Sequence, residues 1–192
     1  MSIVLASKSQ RRQDLLKQFG YHFDICTIEV PEKTTGIPVN IAQENALAKA
    51  RIISEDHPGK LVIGADTIVV YDNKILGKPA HQEDARQMLK ALSGKQHQVI
   101  TGVALCTSAR EPVCFAEVTQ VKFRELADYE ITSYINSGEP FDKAGSYGIQ
   151  GIGGAFVESI VGCYYNVVGL PMPRLILELR AFGFDIFAQG SN

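Results

Sequence analysis

The stretch from Leu61 to Tyr71 constrains this chain more than any other. Leu61-Val62-Ile63-Gly64-Ala65-Asp66-Thr67-Ile68-Val69-Val70-Tyr71 is apolar and rich in β-branched residues, the signature of a buried strand. Asp72-Asn73-Lys74 then turns the chain into Ile75-Leu76, which predicts a hairpin. One carboxylate, Asp66, interrupts the run. An ionised aspartate is costly to bury without a cation, a metal or several donors, and its sequence neighbours supply none. Asp66 is therefore either a hydrogen-bonded structural residue or a functional carboxylate at a strand end, with Gly64 and Ala65 leaving room beside it.

Strands and helices alternate around that run. Ile3 to Ala6 is a short apolar strand, followed by a helix with Leu15, Leu16 and Phe19 on one face and Gly20 as its stop. Asn40, with Gln43 as a capping-box partner, opens a second helix that runs through Leu47, Ala50, Ile52 and Ile53 to His57-Pro58-Gly59. Ala85, Met88, Leu89 and Leu92 mark a third helix closed by Gly94, and Gln98 to Cys106 and Val113 to Phe123 read as long strands. Tyr129 to Ile135 is a short helix, Val157 to Val168 reads as β-rich, and Pro171-Met172-Pro173 leads into a last helix with Leu175, Ile176, Leu179 and Phe182. Between them, Ser137 to Gly154 holds too many glycines for regular structure and too many specific side chains for a linker. The pattern predicts an α/β fold, a mixed twisted sheet with flanking helices. No repeat or linker divides the chain, so residues 1–192 are expected to form a single domain, or two lobes sharing one core.

Charge excludes some partners. Nineteen Lys and Arg against 21 Asp and Glu leave a formal net charge of -2 with no block of one sign, so neither nucleic acid polymer nor anionic membrane is an expected partner. The four cysteines form no Cys-x-x-Cys pair and the four histidines lack metal spacing; buried thiols in a reducing compartment are expected. Met1 to Lys8 has no signal-peptide pattern and no uncharged stretch reaches membrane-spanning length, which predicts a cytoplasmic protein.

The candidate chemistry is polyanion binding at one spot. Ser7-Lys8-Ser9-Gln10-Arg11-Arg12 follows a strand and opens a helix, where free N–H groups, hydroxyls and guanidiniums suit phosphate; the same residues also suit a capping serine followed by solvated arginines. Lys78, between Gly77 and Pro79, is a rigidly presented ammonium or an ordinary turn lysine. Lys49, beside Ala46, Ala48 and Ala50, is open to a bulky ligand or simply snorkels. Glu32, in Glu29-Val30-Pro31-Glu32-Lys33, either joins Asp66 on a divalent metal or is solvated. The loop Asp142 to Gly151 offers Gln150 for reading polar base edges, or packs as a structural loop. Two or three carboxylates with at least four candidate phosphate-binding cations point to a polyphosphate with a divalent metal.

Taken in order, Ser7 to Arg12, Gly64-Ala65-Asp66-Thr67, Leu76-Gly77-Lys78-Pro79, Leu92-Ser93-Gly94, Thr101-Gly102-Val103, Glu139 to Gly151 and Val168-Gly169-Leu170-Pro171 strongly resemble the Maf family of nucleoside triphosphate pyrophosphatases. The resemblance implies an α/β fold with a cleft, similar to inosine triphosphate pyrophosphatases. It also implies magnesium-dependent hydrolysis of a nucleoside triphosphate to monophosphate and pyrophosphate, and a homodimer. By position, Asp66 corresponds to the general base, Ser7, Ser9, Arg12, Lys49 and Lys78 to phosphate contacts, and Glu32 with Asp66 to the metal site.

Arg11, Thr67 and Gln150 resemble the subgroup acting on dTTP and UTP, whereas the 7-methyl-GTP subgroup has Trp, Gln and Glu there. Gln150 offers both an acceptor and donors for the O4 and N3–H edge of a uracil. Two positions depart from the family pattern: Gln10 stands where Pro is usual and Ser146 where Ala is usual, the latter adding a hydroxyl inside the substrate loop. The resemblance also brings a second expectation of another class, a nucleotide-binding regulator of cell division and septum formation. A third, a phosphatase or a purine-directed housekeeping enzyme, differs in its products.

Overall fold

The computed structural model describes residues 1–188. Its strands are β1 (Ile3–Leu5), β2 (Phe23–Ile25), β3 (Leu61–Tyr71), β4 (Lys74–Leu76), β5 (Gln96–Thr107), β6 (Arg110–Phe123) and β7 (Val157–Val161). Its α-helices are α1 (Gln10–Gln18), α2 (Pro38–Asp56), α3 (Gln82–Leu92), α4 (Asp128–Asn136), α5 (Tyr164–Val168) and α6 (Met172–Arg180). The strands form one seven-stranded mixed sheet in the order β2-β1-β3-β5-β6-β7, with β4 attached to β3. β1 runs parallel to both β2 and β3, as strand–helix–strand connections require, while the β3–β4 and β6–β7 pairs are antiparallel. The expected mixed α/β sheet with flanking helices is the fold observed.

The chain divides into two compact units. The first comprises Met1–Asp66, Thr101–Glu117 and the chain from Gly169; the second comprises Thr67–Ile100 and Val118–Val168. In the first, α2 lies on the sheet at van der Waals limit. Val4, Ala6, Val62, Ala104 and Cys106 pack against Ala46, Ala50 and Ile53 of the helix. Gly64 on β3 and Gly102 on β5 face the α2 backbone so closely that a Cβ on Gly64 would collide with the Ala46 carbonyl, and one on Gly102 with Ala42. The small residues of α2 therefore serve contact between helix and strand. Of the alanines near Lys49 in sequence, Ala46 and Ala50 are taken up by this contact while Ala48 is partly exposed, and the space at Gly64 is filled by the Ala46 carbonyl.

In the second unit α3 and α4 cover the β-rich half through Ala85, Leu89, Leu92, Ile131, Tyr134 and Ile135, with Val69, Val99, Val121 and Phe123 beneath. His97, Phe123, Tyr147, Phe156 and Tyr134 stack edge to face in one aromatic chain. Asp72 and Asn73 adopt φ of 49° and 58°, the left-handed pair that closes the predicted hairpin.

Three expectations need correction. α2 starts at Pro38 with Ile37 as cap, three residues before the Asn40 capping box would have it; a proline at the first helical position loses no hydrogen bond and brings its φ ready-made. The stretch Val157 to Val168 is strand only to Val161. Gly162, at φ 127°, breaks it, and Tyr164–Val168 coils into α5, where buried Asn166 donates to the Val99 carbonyl at 2.9 Å and to Thr119 Oγ1 at 2.9 Å. All four thiols are free, but only Cys106 is buried; Cys26 and Cys163 are partly exposed and Cys114 is exposed.

Candidate active site

The close seating of α2 on β3 decides what surrounds Asp66. Asn45 and Lys49 are one helical turn apart on the same face of α2, and both meet the Asp66 carboxylate. Lys49 Nζ donates to Asp66 Oδ1 at 2.8 Å and to Glu32 Oε1 at 2.6 Å; Asn45 Nδ2 donates to Asp66 Oδ2 at 3.0 Å. The side chains of Asp66 and Lys49 are only 10% and 16% exposed, against 51% for Glu32, so the pair at the centre is largely withdrawn from water. The charge that the sequence left uncompensated is thus matched by one ammonium and one carboxamide, both supplied by a helix distant in sequence.

Asn45 was not singled out from the sequence, and it holds the site together. Its Oδ1 accepts from the Lys33 amide at 2.8 Å and its Nδ2 also donates to the Lys33 carbonyl at 3.1 Å. It reads the Lys33 backbone as a neighbouring strand would. This docks the irregular segment before α2 and delivers Glu32 to Lys49. The available signal was a buried-type polar residue four positions from Lys49 among alanines.

The α1 entrance contributes a second cluster within the same unit. Arg12 Nε donates to the Gly169 carbonyl at 2.8 Å and Nη1 to Ser7 Oγ at 3.0 Å. Ser7 Oγ also accepts from the Ser9 amide at 3.3 Å. Burial lowers the Arg12 pKa; the negative charge of Asp66 works against that and neighbouring Arg11 works with it. Ser9 occupies the cap position of α1, yet its side chain makes no capping bond, and the first turn carries no acidic residue. A half-buried guanidinium, two serines and a helix start without a carboxylate make an electropositive corner. Arg11, on the same turn, is half-exposed.

The remaining predicted residues belong to the second unit. Thr67 follows Asp66 directly along β3 and is partly buried. Lys78 is exposed in the turn after β4. That turn is pinned from one side, because the Gly145 amide donates to the Gly77 carbonyl at 3.0 Å, and Gly145 reaches it at φ 67° with no space for a side chain against Val69. Gln150 is exposed in the glycine-rich loop. Ser146, where the family pattern has Ala, is fully buried with its hydroxyl 3.1 Å from Met88 Sδ; it faces the interior of the unit. The structure thus gathers Ser7, Arg12, Glu32, Lys49 and Asp66 in the first unit and sets Lys78 and Gln150 on loops of the second.

Among the described residues no cluster of three or more His, Cys, Asp or Glu side chains forms a ready-made metal cage. What exists is a pair, Glu32 and Asp66, converging on one ammonium. Two carboxylates are oxygen ligands of the kind a hard divalent cation takes, with water completing its shell.

The chain belongs to the Maf-like protein family, whose match spans residues 2–182. A dTTP/UTP pyrophosphatase from Bacillus cereus is 49% identical over 187 residues, covering 96% of this chain and 97% of its own length. A dTTP/UTP pyrophosphatase from Symbiobacterium thermophilum is 48% identical over 192 residues, covering 99% and 98%. Among solved structures, a HAM1 protein from Coxiella burnetii overlaps 64% of this chain and 73% of its own at 17% identity, with a TM-score of 0.48.

Proposed function

We propose that this chain is a pyrophosphatase of pyrimidine nucleoside triphosphates, cleaving dTTP and UTP between the α- and β-phosphates to give the monophosphate and pyrophosphate. The observation that carries this reading is the Asp66 constellation: a nearly buried carboxylate with both oxygens held, next to a second carboxylate and an electropositive helix start. The names of the two relatives support the substrate.

In this reading Asp66 accepts a proton from, or orients, the water that attacks the α-phosphorus in line, and its two fixed hydrogen bonds hold the accepting oxygen in one place. Arg12, Lys49 and Lys78, with Ser7 and Ser9, bind the phosphates. Arg12 is preset for this, since Gly169 and Ser7 hold its guanidinium before any substrate arrives. Arg11, Thr67 and Gln150 read the nucleoside. Glu32 and Asp66 would hold a divalent cation, magnesium in our reading, which neutralises phosphate charge and acidifies bound water. Residues 1–192 act as one pyrophosphatase domain, in the cytoplasm and as a homodimer. The partner is the nucleotide and no nucleic acid polymer.

The test is product analysis. Purified protein given magnesium and UTP is expected to release UMP and pyrophosphate, and Asp66→Asn to release none while keeping its fold by circular dichroism. Orthophosphate as the primary product, or a preference for purines, would displace this reading. Binding without products would instead favour a nucleotide-binding regulator of cell division.

A further inference from the structure

Two side chains that the reaction does not otherwise use hold the loop that carries Gln150. Glu139 directs its carboxylate at the loop backbone: Oε2 accepts from the Ile152 amide at 2.9 Å, and Oε1 accepts from the Gly153 amide at 3.2 Å. Oε1 also accepts from the Tyr134 hydroxyl at 3.0 Å, and that hydroxyl in turn accepts from the Gly148 amide at 3.3 Å. Gln150 is therefore bracketed. The residue two before it is fixed by Tyr134 on α4, and the residues two and three after it are fixed by Glu139. Tyr134 is itself packed in the core, buried at 2% exposure with its ring edge to face against Phe156.

The glycines of this loop are there to admit the clamp. A Cβ on Gly151 would collide with the Glu139 carboxylate, one on Gly153 would sit 2.6 Å from the Tyr134 hydroxyl, and one on Gly148 would sit 2.7 Å from the Lys143 chain. Lys143 completes the frame by donating to the Glu139 carbonyl at 2.7 Å. A loop this rich in glycine loses much conformational entropy when it is ordered. An anionic acceptor with three donors, two of them loop amides, meets that cost before substrate binds.

We propose that Glu139 and Tyr134 are positioning residues for base selection: they fix the loop so that the Gln150 carboxamide meets the pyrimidine edge in one orientation. This rests on Gln150 being the residue that reads the base. The clamp acts on recognition, not on the phosphate chemistry around Asp66, and predicts a KM effect with little kcat effect.

The experiment uses the full-length protein and the variants Glu139→Gln, Tyr134→Phe, Gln150→Ala and the double variant Glu139→Gln with Gln150→Ala. Pyrophosphate release is measured with UTP, dTTP and, as the discriminated substrate, ATP. Glu139→Gln is expected to raise KM for UTP about tenfold, with kcat changed less than about twofold, and to lower the preference for UTP over ATP. Tyr134→Phe, which keeps the buried ring, is expected to show the same effect more weakly. The double variant is expected to lose no more discrimination than Gln150→Ala alone, because one acts through the other. Amide exchange at Gly148, Ile152 and Gly153 is expected to speed up in Glu139→Gln without any activity being needed. Unchanged KM and preference in folded variants, or fully additive losses in the double variant, would overturn the proposal. Failure of the pyrophosphatase reading itself would be visible in the unmodified protein, as absence of pyrophosphate from UTP.

Discussion

Asn45 donates to Asp66 Oδ2 at 3.0 Å from a position where the same carboxamide also holds both backbone groups of Lys33. One buried side chain therefore fixes the carboxylate and the segment that delivers Glu32. Replacing it with alanine removes the hydrogen bonds that Asn45 makes to Asp66 Oδ2 and to the amide and carbonyl of Lys33. Asn45→Ala is expected to destabilise the fold by about 2 to 4 kcal/mol and to lower kcat/KM for UTP by at least about tenfold. Urea unfolding and a pyrophosphate assay would check both. A stable variant with ordinary turnover would show that the carboxylate does not depend on this bond.

The Lys49–Asp66 pair predicts a non-additive pattern of stability. With both side chains largely withdrawn from water, removing the ammonium leaves an uncompensated carboxylate. Lys49→Met alone is expected to cost about 3 kcal/mol. Adding Asp66→Asn to it should restore much of that, since the stranded charge is gone, while neither variant releases pyrophosphate. Additive losses in urea unfolding would mean that the pair is electrostatically idle in the folded protein.

Much of this site was legible in the sequence because its parts announce themselves locally. A carboxylate inside an apolar strand, serines and arginines at a helix start, and a lysine between glycine and proline each carry their chemistry in their immediate neighbours. Long-range partners do not. Nothing near Asn45 says that it will face Lys33 and Asp66, and nothing near Glu139 says that it will accept from Ile152 and Gly153. α2 begins at Pro38 and not after Asn40 because proline's fixed φ at the first helical position outweighs the capping-box pattern at Asn40. Tyr164, Val167 and Val168 suit a strand by propensity, but the turn at Gly162 and the Asn166 hydrogen bonds go with a helix there.

The contact between α2 and the sheet gives a third prediction. Gly64 and Gly102 abut the helix backbone at Ala46 and Ala42, and backbone cannot rotate away as a side chain does. Gly64→Ala and Gly102→Ala are each expected to cost about 3 kcal/mol or more, beyond the usual range for overpacking against movable side chains. Because α2 carries Asn45 and Lys49, Gly64→Ala should also depress pyrophosphate release in whatever fraction stays folded. Thermal unfolding compared with an Ala substitution at exposed Gly77, where a Cβ meets nothing, separates the steric effect from loss of glycine itself.

His97 makes stability depend on pH below neutrality. It is 2% exposed among Phe123 and Tyr147, its Nε2 lies 2.8 Å from the Tyr147 hydroxyl, and its Nδ1 has no hydrogen-bond partner. Burial lowers its pKa from 6.5 to about 4. The unfolded chain therefore binds a proton at this residue at a pH where the folded protein does not. The contribution is fully present above about pH 6.5 and is lost progressively as pH falls through the window down to about 4, reaching on the order of 3 kcal/mol. Most carboxylates stay ionised over the upper part of that window, between pH 6.5 and 5, so a fall in unfolding free energy there reports chiefly on histidine. His97→Phe keeps an aromatic ring beside Phe123 and removes the titration. Its stability should be nearly flat from pH 6.5 to 5 where that of the unmodified protein declines, and equal slopes for the two proteins would mean that His97 is not held neutral by the fold.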